Sequence, residues 1–481
     1  MTFNLTDEQQ EIVTYAKQAK AGELLLIDSV AGSGKTTLLR ALADEIPCVN
    51  GLYLAYNKAI ATSSKSKFPR SIDCRTTHSL AYRATVTTLG LRVGFFGPRD
   101  ITEKLSYTDK YLLTEDLKEF CLSKYLTYDE YAEESGRINT KLVNKYLNLM
   151  SNGKIECTHD FYLKMFHISL AEDSVVCPDY GLIMLDEAGD LNEVTLEIFR
   201  LLPAKLKVAV GDPHQNIYTF NHTINCFERL SGEGITFRLS KSFRVPPHIA
   251  SPIEGFCKAY LNPDMDFIGT ENGTTEVNTR AYIARTNGGL INKMIELNND
   301  RVPYGLVRKA QEIFKVPLMV AGLKYQGKIY DPTYRHVQEE VDSWFENHDN
   351  VKATYKTLFG YMKHKYAEDL SLMQAVNLAV KHGKSGIFDA YAEAKNHENK
   401  KQDFMMLTAH SSKGLEFDEV ILAPDMNNSI EELTKDLQEI TRNGGEPAVL
   451  DNKEKESLNL YYVACTRALV RLRNASHLLG G

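Results

Sequence analysis

The octamer at residues 29–36, SVAGSGKT, has residue types and a spacing suited to binding a polyphosphate. Its glycines allow successive backbone N–H groups to curl around phosphate oxygens, and the start of the following helix adds positive dipole. Lys35 is expected to reach the β- and γ-phosphates, and the hydroxyl of Thr36 is expected to hold Mg²⁺. Ser29 stands where the usual pattern has a glycine, which is a mild departure because serine is also small. With an apolar run before it and a helical pattern after it, the octamer predicts a nucleotide-binding site.

Two carboxylates follow a second apolar run, at residues 182–185. Paired acids at the carboxyl end of a buried strand lie where an α/β nucleotide site is built. Asp186 is suited to bind Mg²⁺, and Glu187 to take the proton from an attacking water. A capped turn between a strand and a helix is the alternative interpretation of these residues taken alone. Together with the phosphate loop, however, they predict a hydrolytic site.

A third apolar run, at residues 208–210, leads into a polar loop that contains Gln215. This glutamine could sense a γ-phosphate or position water. Tyr218 and Phe220 follow and could stack on bases, although aromatic residues near a loop are more often core anchors. Gln9, upstream of the phosphate loop, could read an adenine edge with its amide or equally be a surface residue of a capped helix.

Near the end of the chain, Arg467 is expected at a helix start, where an arginine can serve as an arginine finger. Its distance in sequence from the phosphate loop indicates that it belongs to a different part of the fold.

Length and composition set the wider limits. A chain of 481 residues predicts about three or four domain-sized units. The formal net charge of −7 favours a local groove over a general basic surface for any nucleic acid. Eight cysteines without a C-x-x-C pair favour reduced thiols over disulfides or zinc. No apolar run is long enough to span a membrane, and we expect a cytoplasmic protein.

The periodicity predicts an α/β fold with two cores, each interrupted by a helical insertion. The first insertion is expected near residues 85–165, where no catalytic pattern appears, and the second near residues 325–400. The second includes a basic and aromatic run at residues 361–366, which could touch nucleic acid but is better explained as a solvated helix face.

Taken in order, these segments resemble the motif series of superfamily 1A DNA helicases of the UvrD/Rep/PcrA type. Residues 55–59, AYNKA, are most similar to the F-box DNA helicase group within that branch. The motifs extend from Gln9 to Arg467, and the two insertions match weakly. The resemblance implies two RecA-like parallel-sheet motor domains. Their implied bounds are 1–84 and 166–240 for domain 1A with the ATP site, 85–165 for insertion 1B, 241–324 and 401–481 for domain 2A, and 325–400 for a reduced insertion 2B.

The resemblance also implies roles for individual residues. Those implied to contact ATP are Gln9, Gly32, Ser33, Gly34, Lys35, Thr36, Thr37, Glu416 and Phe243, which stands where the family usually has a tyrosine. Those implied to hold Mg²⁺ are Thr36 and Asp186. Those implied to act in hydrolysis are Lys35, Glu187, Gln215 and two arginine fingers, Arg244 and Arg467. Those implied to touch single-stranded DNA are Asn57, His78, Tyr218, Phe220, Thr408 and His410.

One departure concerns Gly189. The family's second motif usually reads Asp-Glu-x-Gln-Asp, and Gly189 here replaces a glutamine thought to link the ATP and DNA sites. The resemblance therefore implies hydrolysis of ATP to ADP and phosphate, with the efficiency of coupling left open.

The implied activity is that of a DNA-stimulated ATPase and helicase that moves 3′→5′ on single-stranded DNA in replication, recombination or repair. Two alternatives remain open: a translocase that strips bound proteins with little unwinding, and a nucleotide-gated switch; RNA is a further open substrate. Implied partners are single-stranded DNA, junctions with duplex, and single-strand-binding, replication or recombination proteins. We expect a monomeric motor with no membrane association, in the host cytoplasm if a phage encodes it.

Overall fold

The computed structural model of the chain describes residues 4–137, 140–217, 223–323, 327–328, 334–346, 357–367, 369–398, 400, 402–442 and 450–478. The chain forms two compact units, Met1–Phe243 and Arg244–Gly481. Each unit is built on its own sheet of parallel strands.

The first unit contains nine described strands. They are β1 Glu23–Ser29, β2 Gly51–Leu54, β3 Ile72–Arg75, β4 Tyr180–Leu185, β5 Leu191–Asn192, β6 Ala204–Gly211, β7 Thr223–Ile224, β8 Ile235–Leu239 and β9 Lys241–Ser242. Six of them form a parallel sheet in the order β3-β2-β4-β6-β1-β8. Strand β1 is apolar on both faces, since Leu26 packs in one buried cluster while Leu25 and Ile27 pack in another. Strands β4, β6 and β1, which carry the predicted chemistry at their carboxyl ends, are therefore neighbours.

Helices cover this sheet and fill the connection between β3 and β4. They are α1 Asp7–Gln18, α2 Lys35–Glu45, α3 Lys58–Ser64, α4 Thr77–Ala81, α5 Tyr107–Leu122, α6 Tyr128–Ser135, α7 Thr140–Ser151, α8 His159–Ala171, α9 Glu193–Leu201 and α10 Cys226–Arg229. Short turns of other helix types occur at Tyr82–Thr87, Pro98–Asp100, Ala188–Asp190 and Pro213–Gln215.

The second unit contains strands β10 Ile268–Gly269, β11 Arg280–Ala284, β12 Gly305–Leu306, β13 Phe404–Thr408, β14 Phe417–Leu422 and β15 Ala468–Arg473. Five of them form a parallel sheet in the order β12-β13-β11-β14-β15. Its described helices are α11 Pro247–Tyr260, α12 Asn287–Asn299, α13 Ala310–Leu323, α14 Arg335–Glu346, α15 Leu358–Lys365, α16 Leu370–Asn396, α17 Ala409–Ser412, α18 Pro424–Arg442 and α19 Asn452–Cys465.

The predicted α/β class with parallel sheets is confirmed. In each unit a run of helices separates two strands that belong to the same sheet, α4–α8 between β3 and β4 and α13–α16 between β12 and β13. The bounds of the predicted domains 1A, 1B, 2A and 2B stay predictions. Within the described ranges, none of the helices combines the length and the apolar character needed to cross a bilayer.

The expectation that Arg467 lies at a helix start is wrong. Helix α19 begins at Asn452, where the side chain of Asp451 caps it, and it ends at Cys465. Arg467 therefore follows a helix end and directly precedes β15. The apolar residues 460–465 are fully buried, and the helix continues through them to its end at Cys465.

Candidate nucleotide and hydrolysis site

The phosphate loop connects β1 to α2 in the predicted strand–loop–helix order. Gly32 and Gly34 both adopt left-handed φ angles, 76° and 79°, which residues with a Cβ rarely take. Ser29 fills the place of the usual first glycine, and its hydroxyl donates to the carbonyl of Gly211 at 2.7 Å. This bond ties the start of the loop to the end of β6.

The loop has the features that a nucleotide polyphosphate requires. Lys35 opens α2, Thr36 is exposed and Thr37 is half-buried on the first turn of the same helix. The hydroxyl of Ser33 is buried and has no hydrogen-bond partner among the described residues. A buried hydroxyl in that condition costs free energy unless a ligand or water bonds it, so the loop fits an anionic phosphate chain.

Two residues predicted to bind adenine flank Gly34. Gln9 is buried, accepts from the backbone of Thr6 through Oε1 and donates to the carbonyl of Ser33 through Nε2, each at 3.2 Å. Phe243 donates its backbone N–H to Gly32 at 2.9 Å, and its ring lies 3.6 Å from the position that a Cβ on Gly34 would occupy. Phe243 is 45% exposed, and Lys241 Nζ lies 5.8 Å from the centroid of its ring.

The carboxylates at the end of β4 lie beside the lysine of the phosphate loop. Lys35 Nζ is 3.6 Å from Glu187 Oε2. Asp186 accepts from the Tyr53 hydroxyl at 2.6 Å and from the backbone N–H of Glu187 at 3.0 Å. Burial and the charge of Glu187 raise the pKa of Asp186 to about 6. A divalent cation would favour the ionised carboxylate, so this position suits the predicted Mg²⁺.

Gln215 lies on a short turn after β6, and the side chain of Asp212 holds it. Asp212 is buried, and its carboxylate accepts from Gln215 Nε2 at 2.8 Å and from the backbone N–H of His214 at 3.0 Å. Lys35, Asp186, Glu187 and Gln215 thus come from the carboxyl ends of three adjacent strands.

Two residues of the site, Tyr53 and Asp212, were missed by the sequence reasoning. Tyr53 lies in the middle of an apolar strand. The one signal that could have identified it is a phenolic hydroxyl within an otherwise apolar run. Asp212 directly follows a buried strand, as Asp186 does, and that common position could have identified it.

Among the predicted DNA contacts of the first unit, His78 lines a cleft of about 260 Å³ together with Tyr56 and Asp186. Burial lowers the pKa of His78, which keeps the imidazole neutral. Asn57 is exposed and caps α3 by accepting from the backbone N–H of Ile60 at 2.9 Å. Tyr218 and Phe220 lie outside the described residues.

The other predicted site residues belong to the second unit. Arg244 donates through Nε to Glu416 at 2.6 Å, so a predicted finger and the predicted ribose contact form an ion pair. Arg467 is buried and donates through Nε to the carbonyl of Val463 at 2.8 Å.

The two predicted DNA contacts of this unit lie at the end of β13. Thr408 caps α17, and His410 Nε2 lies 3.4 Å from Glu456 Oε1.

Comparison with known proteins agrees with the resemblance. A family model for the UvrD-like helicase C-terminal domain matches residues 102–475, a range that begins after the phosphate loop. F-box DNA helicase 1 of Gallus gallus is 24% identical over 542 residues, covering 99% of this chain and 50% of the relative. F-box DNA helicase protein 1 of Schizosaccharomyces pombe is 26% identical over 535 residues, covering 98% of this chain and 57% of the relative. The chain spans about half the length of the curated relatives it matches. Because the family match extends over well more than half of the 481 residues, the chain belongs to the UvrD-like helicase family.

Proposed function

We propose that this chain is an ATP-dependent DNA helicase that moves along single-stranded DNA. The observation that carries the proposal is the meeting of Lys35, Glu187 and Asp186 beside a glycine loop at the edge of a parallel sheet. Such a grouping of a cation, a candidate base and a candidate metal ligand is the equipment of a nucleoside triphosphatase. The family membership and the two relatives named as DNA helicases support DNA as the polymer on which the energy is used.

Each residue has a defined part in the proposed hydrolysis. The phosphate loop binds the triphosphate with its backbone N–H groups, and Lys35 neutralises charge on the β- and γ-phosphates. Thr36 and Asp186 would hold Mg²⁺, which supplies further neutralisation of that charge when bound. Glu187 accepts a proton from the attacking water, and Gln215 orients that water or senses the γ-phosphate. Arg244 and Arg467 keep their predicted finger roles as part of this proposal.

The cleft between β2, β3 and β4 supports a link from hydrolysis to DNA. It is lined by Tyr56 and His78, two side chains suited to contact a base or a sugar, and also by Asp186 of the candidate metal site. A strand bound there would lie close to the residues that respond to nucleotide. We extend the proposal to 3′→5′ movement in replication, recombination or repair, on the likeness of residues 211–218 and 413–416 to that branch of the superfamily.

The test is ATP hydrolysis with and without single-stranded DNA, for the wild type and for Glu187→Gln. We expect DNA to raise the rate strongly in the wild type and the variant to lose hydrolysis while it still binds ATP, because the amide cannot accept the proton. Duplexes with a 3′ or a 5′ single-stranded tail then give the direction of movement. Hydrolysis that is indifferent to DNA, or absent in the wild type, would contradict the proposal and favour the nucleotide-gated switch.

A protein-stripping translocase is distinguished by the same substrates. Release of a protein bound to the tail, without separation of the duplex, would assign the chain to that activity.

A further inference from the structure

Two loops at the carboxyl edge of the first unit's sheet touch each other backbone to backbone. The acidic loop, residues 186–190, follows β4, and the glutamine loop, residues 211–215, contains the end of β6 and the turn after it. Strands β4 and β6 are parallel neighbours with Leu185 opposite Ala209, so the two loops leave the sheet side by side.

Each loop contributes a glycine to this contact. A Cβ on Gly189 would lie 2.7 Å from the carbonyl oxygen of Asp212. A Cβ on Gly211 would lie 2.9 Å from the backbone nitrogens of both Ala188 and Gly189. Side-chain carbons do not approach backbone atoms so closely, and backbone cannot move aside as a flexible side chain can. Neither position accepts a side chain unless the loops separate.

The backbone that Gly189 touches is the same backbone that holds the glutamine. The Asp212 carbonyl accepts from the Gln215 N–H at 3.1 Å, and the Asp212 carboxylate accepts from Gln215 Nε2 at 2.8 Å. One residue earlier, the carbonyl of Gly211 accepts from Ser29 of the phosphate loop at 2.7 Å. A displacement of Asp212 therefore displaces Gln215 relative to Glu187 and the phosphate loop.

The two loops are also joined further along the chain. Strand β5, directly after the acidic loop, pairs antiparallel with β7, and Thr223 of β7 donates to Asn216 Oδ1 at 2.9 Å. This pairing fixes the glutamine loop from its far side, so its near side must fit against Gly189. Glu187 itself has a φ of 51°, an uncommon conformation for a residue with a side chain, which indicates that the surroundings fix this turn closely.

We propose that Gly189 is a positioning residue that sets the place of Gln215 by allowing direct backbone contact between the acidic loop and the glutamine loop. This inference rests on the proposed function, because it concerns the residues assigned there to hydrolysis. The glutamine that the family motif usually carries at this position is not simply missing. Its place is taken by the carbonyl of Asp212, so this chain joins the two loops without a side chain between them.

The experiment compares Gly189→Ala, Gly189→Gln and Gly211→Ala with the wild type. Gly322→Ala is the control, because a Cβ on Gly322 meets nothing within 4 Å. We measure kcat and KM for ATP with saturating single-stranded DNA, the affinity for ADP, and the affinity for ADP with aluminium fluoride, which mimics the transferring phosphate. Thermal melting monitors whether each variant folds.

For Gly189→Ala we expect kcat to fall about 10- to 100-fold, because a displacement of about 1 Å in a reacting group has that effect. The affinity for ADP with aluminium fluoride should fall by a similar factor, while KM and the affinity for ADP stay within about twofold. A residue with a merely structural role would lower all of these together or none. In the double variant Gly189→Ala/Gly211→Ala, kcat should be little lower than in the more impaired of the two single variants, because both changes open the same contact.

Wild-type values in Gly189→Gln, or independent multiplication of the two alanine effects, would overturn the inference. If Gly189→Ala does not fold, Gly211→Ala tests the contact from the opposite loop with the same readouts. If single-stranded DNA does not change the rate of ATP hydrolysis by the wild type, the proposed function is refuted separately. The ratio of the affinity for ADP with aluminium fluoride to the affinity for ADP alone would still test the glycine contact, since both measurements require only nucleotide binding.

Discussion

The hydroxyl of Tyr53 gives a sharp test of the candidate metal site. It donates to Asp186 Oδ2 at 2.6 Å inside the sheet, where Tyr53 is fully buried and Asp186 is 6% exposed. Tyr53→Phe removes the bond to Asp186 and keeps the ring, which stacks on Phe68 with a centroid distance of 4.7 Å. The perturbation therefore acts on the carboxylate with little change of packing.

The size of the effect follows from the burial of the bond. A hydrogen bond to a charged group contributes about 1.5–3 kcal/mol, which corresponds to about 10- to 150-fold in an equilibrium constant. Groups that orient a metal ligand change metal affinity by about 10- to 100-fold when they are removed. We expect the Mg²⁺ concentration that gives half-maximal ATP hydrolysis to rise by at least about tenfold in Tyr53→Phe.

The assay is a Mg²⁺ titration of ATP hydrolysis at saturating single-stranded DNA. Tyr146→Phe is the matched control, because Tyr146 is also buried and its hydroxyl donates to a carboxylate, Glu103 Oε2, at 2.5 Å. Tyr146 lies on α7, away from the phosphate loop in the fold. The Mg²⁺ requirement of the Tyr146→Phe variant should therefore equal that of the wild type. An unchanged Mg²⁺ requirement in Tyr53→Phe would refute the assignment of Asp186 as the metal ligand.

Two further predictions concern other parts of the chain. Arg467→Ala should lower DNA-stimulated ATP turnover about 10³-fold, as loss of an arginine finger does, while ADP still binds; near-normal turnover would exclude the finger role. Burial and the neighbouring Lys164 lower the pKa of His167 from 6.5 to about 4, so the unfolded chain binds this proton at a higher pH than the folded chain. The free energy of unfolding should therefore fall as the pH decreases from about 6.5 to about 4, by on the order of 3 kcal/mol for this group. In urea denaturation, the free energy of unfolding of His167→Leu should depend less on pH than that of the wild type. An equal pH dependence would contradict the lowered pKa of His167.

The parallel sheets and the strand-end location of the site were predictable because they depend on local patterns. The runs at residues 24–27, 182–185 and 208–210 are continuously apolar, and such runs indicate strands buried on both faces. The glycines of the phosphate loop have a spacing that few other loops share. Each of these signals is contained within a few consecutive residues, so no knowledge of the packing was needed to recognise it.

The contacts that the sequence did not predict join residues far apart in the chain. Tyr53 and Asp186 are 133 residues apart, and Ser29 and Gly211 are 182 residues apart. The helix end before Arg467 was misjudged for a related reason, because the burial of the whole segment against the second sheet extends α19 beyond the point that the local pattern suggested. Tertiary packing decided these features, and a single sequence carries little record of it.

Gly189 shows why a departure from a motif must be judged in its surroundings. From the sequence alone, replacing a glutamine by glycine removes an amide oxygen that accepts and an amide nitrogen that donates, and this suggests a weakened link between two sites. In the fold, the same replacement allows the Asp212 carbonyl to come within 2.7 Å of the position a Cβ would occupy, and Asp212 in turn holds Gln215. A short backbone contact between two sheet-anchored loops has fewer rotatable bonds than a glutamine side chain would have, so less conformational entropy is lost in ordering it. The glycine is therefore as consistent with tight coupling as the glutamine, and the kinetics of Gly189→Gln decide between the two.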